Sequence, residues 1–168
     1  MVNKLKRRAG YTMTEMMITV LIVGIVSAMG AGMLLQINRF FMISRTKLDL
    51  QREARAIMYV ITRNLRQAQS DTITISRNAS TQPFFSKITF TKQQGTTMSF
   101  QQNGDNLEQV VGNRTRVLSK SVRYLAFTFP RSDDMGIVSV SMTLENRIYQ
   151  GRTKALHMAS EKVQVMNE

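Results

Sequence analysis

The sequence predicts an α+β protein in which one long N-terminal helix packs on an antiparallel β-sheet domain. Three observations carry that prediction. Residues 16–35 contain no charge, an amphipathic spacing of three and four follows with no Pro before Pro83 and no Gly before Gly95, and apolar and polar residues alternate after Asp71. The chain of 168 residues suits one domain of moderate core with an appendage.

The first ten residues carry Lys4, Lys6, Arg7 and Arg8 and no acid. The uncharged run after them would span about 30 Å as a helix, the thickness of a bilayer's hydrocarbon core. Cations ahead of a span favour a cytoplasmic N-terminus, an argument that Arg39, Arg45 and Lys47 on the far side weaken without reversing. A cleaved secretory signal also starts basic, but its apolar core is about 7–15 residues and ends at a small-x-small site. The run here is longer, and residues 27–32 match such a site only loosely. Glu15 stands at the mouth of the span, where a carboxylate is costly and an ionisable group is a functional hypothesis by default. The bland alternative is an interfacial residue facing headgroups or water. Gly24, Ala28 and Gly32 recur every four residues, a small-residue face that allows close helix packing in apolar surroundings, although Gly is common in membrane helices in any case.

A basic leader, Gly10, Tyr11, and then Glu15 ahead of an apolar run resembles the class III signal of type IV pilins and pseudopilins. The resemblance implies that prepilin peptidase cuts between Gly10 and Tyr11 and N-methylates Tyr11. Phe is usual at that position, and Tyr11 keeps the aromatic character. It also implies that Glu15 of one subunit pairs with the N-terminus of another during assembly. The chemistry is sound on its own terms. Gly10 lets a backbone fit a protease site closely, and an amine beside a carboxylate lets both enter an apolar medium. Many major pilins carry Pro where this chain has Gly32, so the resemblance leans to a minor pilin or pseudopilin.

Beyond the span, Leu50, Ala54, Ile57, Met58, Ile61, Leu65 and Ala68 form one helical face, with Arg52, Glu53, Arg55, Arg63 and Arg66 opposite. A single helix over about 12–69 is predicted, on the order of 87 Å if straight. Strands are predicted at 72–76, 87–91, 97–101, 107–111, 115–119, 122–129, 137–144 and 154–166, the last long enough to suggest a break. Gln94-Gly95, Asn103-Gly104 and Gly112-Asn113 supply turns. Short connections favour antiparallel pairing, and the stripe from Leu50 to Ala68 would cover the apolar side of the sheet. The expected division is a leader at 1–10 that is removed, a transmembrane and assembly half-helix at 11–35, an amphipathic half-helix at 36–69, and a β domain at 70–168.

Catalytic chemistry finds little support. Zero Cys excludes disulfides, thiolate metal sites and a Cys nucleophile, and the one His excludes multi-His metal sites. His157 sits in an alternating stretch and reads as a strand-face residue. Asp133-Asp134 alone offers too few oxygen ligands for Ca²⁺. No phosphate loop, zincin helix or nucleophile elbow occurs. No catalytic residue, metal or cofactor is expected, and the protein is read as a non-enzyme. The formal charge of +12 invites a nucleic-acid reading. Four of the cations belong to the leader, however. Arg39, Arg45, Lys47, Arg52, Arg55, Arg63 and Arg66 along the helix fit a solvated face or anionic headgroups equally well. With 8 Phe and 4 Tyr, several of them core candidates, aromatic interleaving for nucleic acid is thin.

Residues 50–68 resemble the Arg-rich second half-helix of J-type pseudopilins and W-type minor pilins, and the strand order after them is similar. That resemblance implies a minor subunit at the tip of a type II secretion pseudopilus or type IV pilus, where it primes assembly. Its implied partners are minor subunits of the H, I and K types, the major subunit, prepilin peptidase and the inner-membrane assembly platform. The implied location is the bacterial inner membrane, crossed once, with the globular domain periplasmic or external. The alternatives are a DNA-binding minor pilin of an uptake system, or an anchored periplasmic binding protein with no filament role.

Overall fold

The structure, a computed structural model, describes residues 10–131, 135–149 and 153–166. The four leader cations, Asp133-Asp134 and Gly151 lie outside the described residues. The chain forms two units, Met1–Met42 and Ile43–Glu168. The element order is helix α1 (Met13–Leu65), a 3-10 turn at Ser70–Thr72, then strands β1 (Thr74–Ser76), β2 (Lys87–Thr91), β3 (Thr97–Asn103), β4 (Asn106–Val111), β5 (Arg114–Ser119), β6 (Val122–Thr128), β7 (Ile137–Tyr149) and β8 (Thr153–Gln164).

Helix α1 contributes residues to both units. In the first, every residue of its most apolar 18-residue stretch is unburied. In the second, Leu50, Ala54, Ile57, Met58, Ile61 and Leu65 are all buried, at the spacing of the amphipathic stripe. The helix ends four residues before the expected Gln69, because the sheet takes the backbone that would continue it. Gln69 N–H donates to the Thr91 carbonyl at 3.0 Å, Gln93 N–H to that of Gln67 at 3.3 Å, and Ala68 bridges Lys92. Arg63 in the last turn complements the negative end of the helix dipole.

All strand pairs are antiparallel, in a five-stranded sheet ordered β1-β2-β3-β4-β5 and a three-stranded sheet ordered β6-β7-β8. The β3–β4 and β4–β5 hairpins close over Gly104-Asp105 and Gly112-Asn113, with positive φ at both glycines (60° and 56°), as two-residue hairpin loops demand. Ile88 and Phe90 of β2, Phe100 of β3, Leu125 and Phe127 of β6 and Val138, Val140, Met142 and Leu144 of β7 join the helical stripe in one core. Burying each such large side chain contributes about 1.5–3 kcal/mol.

The two sheets are stitched by polar groups. Gln102, 4% exposed, lies at the joint, where its Nε2 donates to the carbonyls of Gly104 (2.9 Å), Arg123 (3.3 Å) and Val122 (3.4 Å). Its main-chain carbonyl accepts from Asn78 Nδ2 at 2.8 Å. Main-chain bonds from Val122 N–H to Asp105 and from Phe127 N–H to Phe85, both 2.9 Å, seal the outer edge of β6.

Strands β7 and β8 depart from the expected bounds for one shared reason. Alternation fades after Leu144, yet β7 continues to Tyr149 because β8 pairs with it as far as Arg147 and again at Tyr149 after a register shift, and the expected break in β8 is absent. Glu145 holds this extension. Its side chain, 11% exposed, takes Lys154 Nζ at 2.6 Å on one oxygen and the Arg123 guanidinium on the other. The Lys154 hydrogen bond, then that of Arg123, lowers its pKa below the usual 4.5. A carboxyl with a lowered folded pKa contributes stability that is complete above its unfolded value and lost as pH falls below it. Acid unfolding of the wild type should therefore steepen below about pH 4.5. In Glu145→Gln that part of the pH dependence should vanish, a difference read by urea titration at pH 3 to 7.

Candidate functional site

The uncharged span opens on a compact hydrogen-bonded turn. Thr12, just ahead of α1, donates its N–H to Glu15 Oε2 at 2.8 Å and its hydroxyl to the same oxygen at 2.9 Å. Glu15 N–H returns to Thr12 Oγ1 at 3.3 Å, and Met16 N–H bonds the Thr12 carbonyl at 3.2 Å. This is a capping box: two helix-start donors that would otherwise be orphaned are satisfied reciprocally. Glu15 also stands in the first turn, where the helix dipole favours negative charge. Thr12-x-x-Glu15 is the sequence signal of this helix start, and it makes Thr12 a partner of Glu15 that charge and spacing alone do not reveal.

The cap begins α1 at Met13 and leaves Gly10, Tyr11 and Thr12 outside the helix. Gly10 is exposed, and Tyr11 is 81% exposed. A Cβ built on Gly10 would meet nothing within 4 Å. The peptide bond between them is therefore accessible and non-helical, and the chain itself places no steric demand on Gly10.

Further along α1, Gly24, Ala28 and Gly32 are exposed, and a Cβ at Gly24 or Gly32 would also meet nothing within 4 Å. Any need for small residues on that face thus comes from a partner, not from packing within the chain. Around them Met16, Ile18, Val20, Leu21, Ile25 and Leu34 are more than half exposed, an apolar surface no soluble helix maintains in water. Arg39, Arg45, Lys47, Arg55, Arg63 and Arg66 are exposed. Arg52 meets Asp49 at 3.8 Å, an exposed ion pair worth little.

His157 lies half-buried on β8 opposite Leu144. Among the described residues no three His, Asp or Glu side chains gather as a metal site.

The family described as the prokaryotic N-terminal methylation motif matches residues 5–31. No curated protein and no solved structure matches the chain. The match covers the second half of the leader, the cap and most of the span, and the fold adds a long helix packed on an antiparallel β domain. The chain thus has a pilin-like architecture with an N-terminal methylation motif, consistent with the broader pilin and pseudopilin superfamily.

Proposed function

We propose that the chain is a minor pilin-like subunit of the J/W type, cut between Gly10 and Tyr11 by prepilin peptidase, N-methylated at Tyr11, and assembled at the tip of a pseudopilus or pilus that it helps to prime. The observation that carries this reading is the methylation motif laid on a capped helix whose start leaves the Gly10–Tyr11 bond exposed. The subunit waits in the inner membrane, held by its apolar half-helix, with the sheet domain on the far side. Its work is assembly, not catalysis.

Glu15 has two successive roles in this scheme. Before assembly its carboxylate is occupied by Thr12, so the free subunit carries no bare acid into the membrane. During assembly the methylated amine of a neighbour competes for the carboxylate, adding the attraction of an opposite charge to the hydrogen bonding that Thr12 already supplies. Gly24, Ala28 and Gly32 would let adjacent helices approach.

Cross-linking in the host followed by mass spectrometry tests the assignment. Pilin-like neighbours of the H, I or K type should be recovered with the chain. Recovery of none, with secretion and piliation normal after deletion, would leave an anchored periplasmic protein instead.

A further inference from the structure

We infer that the free edge of β8 is a docking site for an extended acidic segment of a partner protein, which adds to the three-stranded sheet as a further strand. Exposed edges invite unwanted pairing, and proteins shorten, charge or cover them. Three edges here are managed in those ways. Strand β1 is only three residues long, β5 carries Arg114 and Arg116, and β6 is sealed by the Phe85 and Asp105 carbonyls. Strand β8 is left open over residues 156–162, and only beyond its end does Met166 N–H meet the Arg66 carbonyl at 3.4 Å. The strand spans 12 residues, contains no Pro and pairs with β7 alone among the described residues.

The geometry of that edge suits strand addition. Val165 N–H donates to the Gly136 carbonyl at 2.7 Å, so odd-numbered β8 residues point their N–H groups at β7. Alternation then aims the N–H groups of Leu156, Met158, Ser160 and Lys162 away from β7, at the free edge. Beside it lies a groove of about 570 Å³ between α1 and β8, with Tyr59, Arg63 and Arg66 on one wall and Glu161 and Met166 on the other. Leu156, Met158, Tyr59 and Met166 are 53%, 75%, 64% and 74% exposed, offering apolar contact to alternate side chains of an incoming strand.

Charge selects the occupant. Arg63, Arg66 and Lys162 flank the edge, and Glu161 is the one acid among the described residues that line the groove. A second copy would bring the same cations, on a chain of formal charge +12, and like charges across an interface oppose association. An acidic segment finds complementary charge in Arg63 and Arg66 on the helical wall and in Lys162 on the strand.

The test uses the full-length protein in detergent micelles and two synthetic probes, an alternating Glu-Val octapeptide and its Lys-Val counterpart. The acidic peptide should bind and slow hydrogen exchange at Leu156, Met158, Ser160 and Lys162, while the basic peptide does not. Met158→Pro removes one edge donor without touching the β7 ladder, and should weaken binding about tenfold or more. Arg63→Glu/Arg66→Glu, outside the sheet, should weaken it comparably. Equal binding of both peptides, no binding, or indifference to both variants would overturn the proposal. So would β8 protection that appears only as protein concentration rises, which would assign the edge to a second copy.

Discussion

Glu15→Ala is expected to leave leader removal intact while lowering incorporation into filaments about a hundredfold. A charged group in an apolar helix environment costs about 2.5–3.5 kcal/mol when it lacks a partner, and Ala would strand the neighbour's amine in that condition. The capping box makes a sharper experiment possible. Gln also serves at the third helical position of a capping box, so Glu15→Gln keeps the bonds to Thr12 in kind while deleting the charge. Thr12→Val does the reverse, removing the cap hydroxyl and keeping the carboxylate. If pairing with a neighbour is what matters, Glu15→Gln should fail almost as badly as Glu15→Ala, and Thr12→Val should assemble. If the residue only starts the helix, the order is inverted. Counting filaments and immunoblotting sheared fractions separates the two.

Gly10→Leu is expected to accumulate as uncleaved, membrane-inserted precursor. A Cβ there meets no atom of the described residues within 4 Å, so the described fold should be unaffected. The steric conflict would lie wholly in the peptidase, where glycine permits close backbone approach. The readout is a precursor band ten residues heavier, with a protease-resistant sheet domain that matches the wild type. Normal processing of this variant would remove Gly10 from the cleavage site.

Much of the architecture was legible because it is periodic. The stripe from Leu50 to Leu65 is buried as its spacing requires, and Ala68 is buried just beyond the helix. Asn103-Gly104 and Gly112-Asn113 lie at hairpin loops. What escaped depends on residues far apart in sequence. The helix stops at Leu65 because Thr91, Lys92 and Gln93 claim its next backbone groups. Strand β7 outruns its alternation because Arg123 and Lys154 neutralise Glu145. Gln102 looks like any polar strand residue until the carbonyls of Gly104, Val122 and Arg123 converge on it. At the N-terminus, Gly10, Tyr11 and Glu15 stood out by spacing and charge. Thr12 did not, although the same four-residue window contains the capping signal.

The most direct measurement is the mass of the N-terminal peptide of the protein purified from its host's membrane. A chain beginning at Tyr11 and heavier by one N-methyl group is the expected result. A chain that still begins at Met1 or Val2, in cells with active prepilin peptidase, would contradict the assignment.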